Sequence, residues 1–411
     1  MNDLIKNISY LSIGQAMKIV IRFFAFSIIT KSLSAHQYGQ FLTIVGFCEF
    51  FQIFTLPGMS KPIVRTACRD LGKIDVLLSS KSGIRNLTAL IAIVLANIFV
   101  SFMEYDHSVI TLIRFYSIIL LIDSLRTYIR IVFKAFEIFK WISFSEIVQS
   151  VSYLVLIMIS INYNLGIKGI VLSSVISMVI SFLTDYINSR KYSDFQLFGG
   201  FEMDNVFIVS ASIFTVTNIM WLIISKIDIL MLSVLTTSAE VAIYGVANRI
   251  ILFCMMGVSI VSNVVYPPII KMVQSGKIEI KKYAKNIIGI FSLLIFCCLI
   301  VWLFSETIVT LITDQKYLVS SEILNILLLY LILQALSVPI KLILYSLDKE
   351  KLLFLIILPL QIIKLIANTV FFKTYGLHGI AYSTVTVYAV YLLSLIIINR
   401  KLLKDILLIN P

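Results

Sequence analysis

Charged residues are scarce in this chain, and their scarcity limits the class of protein it can be. Asp, Glu, Lys and Arg make up 14% of the 411 residues, whereas soluble globular domains contain about 25%. Hydrophobic residues make up 59%, and long polar stretches are missing. The sequence therefore excludes a soluble globular protein and leaves no room for a separate domain outside a membrane. An all-α integral membrane protein is expected.

Histidine and cysteine are also few, which limits the chemistry. The three His do not stand at the spacings of metal ligands, so no metal site is expected. Four of the five Cys fall within apolar stretches, so structural disulfides are not expected. A nucleophile triad and a glycine-rich phosphate loop are both missing. We therefore expect no catalytic residues, no cofactor and no enzyme activity.

Long apolar stretches are what the chain has in quantity. A membrane-spanning helix needs about 20 largely apolar residues, and twelve stretches meet that requirement. They form two sets of six, with a polar segment between the sets. The predicted spans are residues 9–31, 38–58, 84–103, 109–130, 142–161, 167–188, 206–235, 239–265, 286–304, 321–345, 352–372 and 377–398.

The distribution of cations predicts the orientation of these spans. Lys and Arg number 34 and Asp and Glu 22, which gives a formal net charge of +12. Twelve spans place both termini on one side, where 24 of the cations fall, whereas the opposite loops hold four. Cytoplasmic loops of membrane proteins are enriched in Lys and Arg. Both termini are therefore expected in the cytoplasm, and the positive charge needs no nucleic-acid partner.

An internal repeat relates the two sets of spans. Residues 166–175 match 376–385 at five of ten positions, and Tyr38-Gly39 recurs 206 residues later as Tyr244-Gly245. Each half holds an even number of spans, so a pseudo-twofold axis normal to the membrane should relate two six-helix bundles. The expected domains are an N-lobe with spans 1–6 (residues 1–190), a cytoplasmic linker (191–205) and a C-lobe with spans 7–12 (206–411).

Residues 62–78 show a different pattern, in which apolar residues stand at helical spacing among cations. The pattern indicates a short basic amphipathic helix, and two placements stay open. Either the helix lies on the inner surface of the membrane, or it is an ordinary solvated loop helix.

Two cations lie in the middle of the first apolar stretch. Lys18 and Arg22 stand one helical turn apart, about 14 and 20 Å into the helix, and Gln15 shares their face. Each buried cation costs roughly 2.5–3.5 kcal/mol on insertion scales. Such residues are retained where they face water, a counter-charge or a substrate. We interpret this face as the lining of a passage for an anionic substrate.

Ionisable groups occur at similar depth in later spans. Five cations at mid-depth outnumber three carboxylates, so pairing cannot neutralise the interior. The carboxylates are candidate ligands of a coupling ion or partners of the cations. Structural pairs, such as Lys226 with Asp228 or Arg22 with Glu49, and cations that extend to an interface are open alternatives. The candidate substrate-binding residues of the later spans are Lys226, Arg249, Lys364, Asn218 and Ser225, and the carboxylates are Glu49, Asp123 and Asp228.

Short segments of the chain resemble a known superfamily of membrane transporters. Residues 33–39, Leu-Ser-Ala-His-Gln-Tyr-Gly, resemble the first-loop pattern of glycosyl flippases. Residues 226–232 and 241–249 resemble spans 7 and 8 of the same family of proteins. The Gly-x-x-Gly sequences that begin spans 6 and 12 also fit. Along nearly its whole length, the chain resembles the multidrug/oligosaccharidyl-lipid/polysaccharide (MOP) superfamily. The closer resemblance is to its polysaccharide-biosynthesis branch, the O-antigen and capsule repeat-unit flippases.

This resemblance implies a MATE-like fold, in which two six-helix bundles form a V around a central cavity and work by alternating access. It also implies a substrate, an undecaprenyl-pyrophosphate-linked oligosaccharide that moves from the cytoplasmic to the periplasmic leaflet while its tail stays in membrane lipid. A cationic cavity suits a pyrophosphate. A proton or a sodium ion is the candidate coupling ion, and the polysaccharide polymerase machinery is a candidate partner.

Two other functions compete with this expectation. A multidrug or organic-cation antiporter of the same fold would have an acidic cavity, which the excess of cations disfavours. A polysaccharide polymerase or ligase would resemble a multispan protein with a sizeable periplasmic loop, whereas the longest outer loop here is residues 305–320. We therefore expect a multi-pass flippase of the bacterial inner membrane.

Overall fold

The computed structural model describes residues 2–55, 59–68, 70–202, 215, 226–275, 295–346 and 350–400. Every regular element among these residues is a helix, so the predicted all-α class is confirmed. The predicted site residues Asn218 and Ser225 lie outside the described residues. The chain divides into two compact units, Met1–Val241 and Ala242–Pro411. The lobe boundary expected at the linker stays a prediction.

Eight α-helices form most of the first unit. Helix α7 packs against α1 and α8, and α6 packs against α4 and α8 and also contacts α7. This packing brings α1, α6, α7 and α8 together and positions the charged side chains described below. The helices are α1 (Asn2–Ser32), α2 (Ala35–Phe51), α3 (Ser60–Ala67), α4 (Ile74–Val100), α5 (His107–Tyr116), α6 (Ile119–Ala135), α7 (Phe139–Asn162) and α8 (Gly166–Ser189).

Three long helices and one short helix make up most of the described part of the second unit, and the first of them contains the division between the units. Gly376 has φ 58° and ψ −136°, a backbone conformation that L side chains disfavour. It breaks the last helix at the point where predicted spans 11 and 12 are separated. The helices are α9 (Ser238–Ser275), α10 (Ser305–Ile312), α11 (Ser320–Ser346) and α12 (Glu350–Ile398).

Seven helices of the described chain are long and apolar enough to cross a bilayer, and a pair bent by 75°, Ile295–Leu303 with Ser305–Ile312, would be an eighth. Helix α2 has 17 residues, fewer than the about 20 that a span needs. Predicted spans 7 and 9 fall partly outside the described residues. The protein is therefore an all-helical membrane protein, and the count of twelve spans stays a prediction.

Helix α2 begins in the segment that resembles the flippase first loop. The Ser34 hydroxyl accepts a hydrogen bond from the Gln37 backbone N–H at 3.1 Å, and the Gln37 side chain accepts one from the Ser34 N–H at 3.3 Å. This reciprocal cap satisfies two donors at the start of the helix. A Cβ on Gly39 would lie 1.5 Å from the carbonyl oxygen of Ser238. Glycine is therefore required where α2 approaches the start of α9.

Gly39→Ala is expected to lower the free energy of unfolding by about 1–3 kcal/mol or more. The added methyl group would overlap backbone atoms, which cannot rotate away as a side chain can. Thermal unfolding of the purified protein in detergent measures the change. Gly72→Ala is the control, since the nearest atom to a Cβ there is Asp70 Oδ1 at 3.4 Å. Equal unfolding temperatures for the two variants would contradict the close approach of the helices.

The described part of the predicted linker lies along α4. The Gly199 N–H donates to Ser82 Oγ at 2.8 Å, and the Gly200 N–H donates to the Ser79 carbonyl oxygen at 2.8 Å. The Phe195 side chain is fully buried in an apolar cluster with residues of α4 and α6. This segment therefore packs as part of the first unit.

The predicted amphipathic helix over residues 62–78 is interrupted in the structure. Helix α3 ends at Ala67, a short 3-10 turn follows, and α4 begins at Ile74. Ile63 and Leu78 are fully buried in the cluster that these segments form with α6. These apolar side chains contact protein, and both placements of the segment, on the inner membrane surface or as a solvated loop helix, stay predictions.

Candidate functional site

Helix α1 turns its two central cations towards α7. Lys18 Nζ forms an ion pair with Glu146 Oε2, and Arg22 Nη2 donates to Gln149 Oε1 at 3.5 Å. The two cations are four residues apart and their partners three, which are the spacings of side chains on one helix face. Gln15, the third residue predicted for this face, is exposed.

Glu146 is the centre of a charged cluster, which we call the N-unit network. Its Oε1 accepts from Arg126 Nη2 at 3.0 Å and from Arg130 Nη1 at 2.6 Å. The Nε atoms of these arginines donate to Asp185 Oδ2, at 3.2 and 2.8 Å respectively. Helices α1, α6, α7 and α8 therefore all supply charges to the network, whose members are Lys18, Arg126, Arg130, Glu146 and Asp185.

Most of the network is buried. Arg126 is 4% exposed, Glu146 7% and Asp185 1%, while the Lys18 side chain is 22% exposed. Removing a charge from water is costly unless a partner and hydrogen bonds compensate for it. Each carboxylate of the network contacts two guanidinium groups, which provide that compensation. The exposed edge of the network lies on α1, beside Arg22.

Three further charged residues border the N-unit network. Arg22 contacts α7 next to it, and Arg85 is buried and donates from Nε to Ser124 at 3.0 Å. Asp123 interacts electrostatically with Arg85 and with both arginines of the network. With these three, the extended network holds five cations and three carboxylates. Among these eight side chains, the cations therefore outnumber the carboxylates by two.

A second ion pair joins α2 to the helical residues 226–235. Lys226 Nζ pairs with Glu49 Oε2, and the two side chains are 31% and 33% exposed. Asp228 is buried in the same helical segment. Residues two apart do not share a helix face, so Lys226 can face α2 without Asp228. The sequence did not indicate the Lys226–Glu49 pair.

Glu49→Lys is expected to reduce transport about tenfold or more, because like charges at this separation repel by about 1–4 kcal/mol. The swapped variant Glu49→Lys/Lys226→Glu restores an ion pair and should recover transport. Surface polysaccharide, normalised to the amount of protein in the membrane, measures both variants. Failure of the swap to recover transport would show that these side chains act on something other than each other.

The remaining predicted site residues belong to the second unit. Arg249 is partly exposed on α9, and Lys364 is buried within α12. Lys341 of α11 also lies inside the helical region, with its Nζ 6.0 Å from the centre of the Tyr391 ring. Helices α9, α11 and α12 therefore each carry a cation.

Most of the N-unit network was not predicted from the sequence. In the sequence, Arg126 and Arg130 are among the 24 cations expected on the side of the termini, and neither Glu146 nor Asp185 is a predicted site residue. Two signals were present. The two arginines stand four residues apart, with Asp123 three residues before the first, and so share a helix face. The two missed carboxylates are isolated in apolar stretches, where ionisable residues usually have a function or a partner.

Comparison with protein families identifies the class of this chain. Residues 4–273 match the family described as polysaccharide biosynthesis protein. The match covers well over half of the 411 residues, so the chain belongs to this family. No curated protein matches the chain.

Solved structures of three transporters share the fold. The lipid II flippase MurJ in an inward closed conformation is 16% identical, with a TM-score of 0.77 over 97% of this chain and 89% of MurJ. An inward-facing multidrug resistance MATE family transporter of the MOP superfamily is 14% identical, with a TM-score of 0.71 over 98% and 100% of the two chains. A MOP superfamily transporter from Pyrococcus furiosus is also 14% identical, with a TM-score of 0.61 over 98% and 96%. Identities this low establish the fold alone.

The family match and the shared fold together show which class of protein contains the N-unit network. The chain is a multi-pass membrane protein of the polysaccharide biosynthesis protein family, and it has the fold of the transporters of the MOP superfamily. The expected resemblance to this superfamily is confirmed.

Proposed function

We propose that the protein is a lipid-linked oligosaccharide flippase. It moves undecaprenyl-pyrophosphate-linked repeat units of an O-antigen or capsule from the cytoplasmic to the periplasmic leaflet by alternating access. Its family supports a role in polysaccharide biosynthesis, and its fold is that of a lipid II flippase. The proposal includes twelve spans in two six-helix bundles, and a bacterial inner membrane with both termini in the cytoplasm.

The observation that carries this proposal is the surplus of positive charge in the extended network. A pyrophosphate has fixed negative charges, and its attraction to cations is strongest where water is excluded. Guanidinium groups also offer forked N–H donors that suit phosphate oxygens. Lys18 and Arg22 lie at the exposed edge of the network, and we assign the first contact with the pyrophosphate to them.

The other predicted site residues complete the proposed pathway of the substrate. The Glu49–Lys226 pair and Asp228 are proposed to bind a proton or a sodium ion when the pair opens, which would couple the ion gradient to transport. Sugar hydroxyls would contact uncharged polar side chains, and the released product would pass to the polysaccharide polymerase machinery. The proposed headgroup contacts are Lys226, Arg249 and Lys364, and the proposed sugar contacts are Gln15, Asn218 and Ser225.

An organic-cation antiporter is the second candidate, since a MATE transporter shares the fold. Such a substrate would need carboxylates that can accept its charge. Glu146 and Asp185 already contact two arginines each, and a net positive site repels an organic cation. For the Pyrococcus furiosus transporter, a reversed polarity of the binding pocket suggests a different function. In this chain too, the sign of the charge at the site distinguishes the two candidate functions, and positive charge favours the flippase.

Translocation in reconstituted vesicles tests the proposal. The full chain is placed in lipid vesicles with a fluorescent undecaprenyl-pyrophosphate-linked oligosaccharide, and a sugar-modifying enzyme outside reports which leaflet the sugar occupies. We expect protein-dependent movement of the lipid-linked sugar and no accumulation of a fluorescent organic cation under a proton or sodium gradient. Gradient-driven accumulation of the organic cation without sugar movement would replace the flippase by the antiporter.

A further inference from the structure

A basic and aromatic cluster lies at the end of the first unit where α7 begins and α8 ends. The Trp141 ring is flanked by two ammonium groups, with Lys140 Nζ 5.2 Å and Lys191 Nζ 4.7 Å from its centre. Trp141 Nε1 donates to the Tyr192 hydroxyl at 3.2 Å, and Lys191 Nζ donates to Asn188 Oδ1 at 3.0 Å. These bonds hold the indole and one of the ammonium groups in place.

The two lysines carry charge that their described neighbours leave unneutralised. Both are exposed, and within the described residues neither forms an ion pair. The neighbouring Arg190 differs, because it pairs with Asp194 at 2.8 Å. Glu137, in the turn before α7, is the nearest other carboxylate along the chain. Two exposed positive charges close to one indole therefore form a feature that suits an anion.

The position of the cluster relative to lipid follows from the exposed residues of α7 and α8. These helices pack side by side, and each has exposed apolar residues at helical spacing along its length. A stripe of this kind over two spanning helices faces the hydrocarbon of a bilayer. The stripe ends at Trp141 and Lys191, where aromatic and basic side chains meet the headgroups. Its members are Phe144, Val151 and Val155 on α7 and Ile176, Leu183 and Ile187 on α8, and Phe144 and Ile187 lie nearest this end.

We propose that Lys140, Trp141 and Lys191 form a binding site for the phosphodiester headgroup of an anionic phospholipid. The two ammonium groups contact the phosphate oxygens, and the indole, whose ring centre lies 5.2 and 4.7 Å from them, keeps them near each other. The acyl chains lie on the apolar stripe below, beside Phe144 and Ile187. A zwitterionic phospholipid binds less well, because its own ammonium group competes with the lysines for the phosphate.

Quenching of tryptophan fluorescence by brominated lipid tests this site. The chain has three Trp and 19 Tyr, so Trp221→Phe/Trp302→Phe leaves Trp141 as the only tryptophan, which is excited selectively at a wavelength where tyrosine does not absorb. Dibrominated phosphatidylglycerol and dibrominated phosphatidylcholine are titrated into the purified chain in detergent. We expect phosphatidylglycerol to associate about 30-fold more tightly, which corresponds to about 1 kcal/mol for each lysine near the surface. Lys140→Gln/Lys191→Gln should bring the ratio close to one without loss of folding, since both side chains are exposed.

A chain with Trp302 alone, made by Trp141→Phe/Trp221→Phe, is the control. Trp302 is exposed on the helical residues 295–303, and we expect both lipids to quench it equally. Equal quenching of Trp141 by the two lipids, or a preference that survives loss of both lysines, would overturn the proposal. So would relief of the quenching by undecaprenyl pyrophosphate at a far lower concentration than by unlabelled phosphatidylglycerol, because the site would then bind a transport substrate. The readout does not depend on transport, so it stands apart from the flippase assay.

Discussion

Glu146→Gln is expected to lower the free energy of unfolding by about 3–5 kcal/mol, the usual cost of removing one partner from a buried ion pair. The substitution leaves Lys18, Arg126 and Arg130 with a single remaining carboxylate in the N-unit network. Buried guanidinium groups without a counter-charge are unfavourable, because water can no longer solvate them. Unfolding of the purified protein in detergent, by heat or denaturant, measures the loss.

Asp194→Asn is the matched control for this prediction. Asp194 pairs with Arg190, but its side chain is 87% exposed, and exposed pairs contribute only about 0–1 kcal/mol. Adding Lys18→Met to Glu146→Gln should recover part of the stability, because it removes one of the unmatched cations. If Glu146→Gln unfolds like the unmodified protein, the buried network described here is incorrect.

Lys18→Ala/Arg22→Ala is expected to abolish surface polysaccharide while the amount of protein in the membrane stays the same. Charge-assisted hydrogen bonds contribute about 1.5–3 kcal/mol each, so losing two of them should slow transport by about 100-fold or more. The fold should tolerate the change, because Glu146 keeps both of its arginine partners. Binding of a lectin to whole cells, together with an immunoblot of the membrane fraction, measures both quantities.

Lys73→Ala/Lys316→Ala removes the same amount of positive charge from turns outside the network, where each lysine pairs with an aspartate. This variant should make surface polysaccharide at the normal level. Normal polysaccharide in Lys18→Ala/Arg22→Ala would reject the role of these cations in transport. A parallel fall in polysaccharide and protein would instead assign them to the stability of the first unit.

The shared direction of Lys18 and Arg22 could be predicted from the sequence, whereas their partners could not. Helical spacing fixes which residues of one helix share a face, and the two cations do face α7 together. Which residue of another helix meets that face depends on how the helices pack. Glu146 is 128 positions away from Lys18 in the chain, and local spacing contains no information on such a contact.

The Lys226–Glu49 pair illustrates the same limit. Sequence proximity suggested Asp228 as a partner for Lys226, but helix geometry separates residues two apart. The observed partner lies on α2, and its identity depends on the packing of α2 against residues 226–235. The repeat along the chain relates residues 226–235 to α1 and not to α2, so it gives no indication of this contact.

Residues 62–78 show what helical periodicity predicts and what it leaves out. The apolar positions do share an environment, because Ile63 and Leu78 are both fully buried. The pattern could not show that protein, rather than lipid, covers them. It also concealed the break before α4, where the Asp70 carboxylate accepts a hydrogen bond from the Gly72 N–H at 3.2 Å and begins a 3-10 turn.

The cations of the extended network are proposed to bind the pyrophosphate of the substrate. Translocation in vesicles can be compared for one oligosaccharide linked to undecaprenyl pyrophosphate or to undecaprenyl monophosphate, with the unmodified protein and with Arg22→Gln. We predict that the unmodified protein prefers the pyrophosphate form about tenfold, the equivalent of about 1.4 kcal/mol, and that Arg22→Gln loses most of this preference. No preference in the unmodified protein, or the same preference in both proteins, would contradict the account.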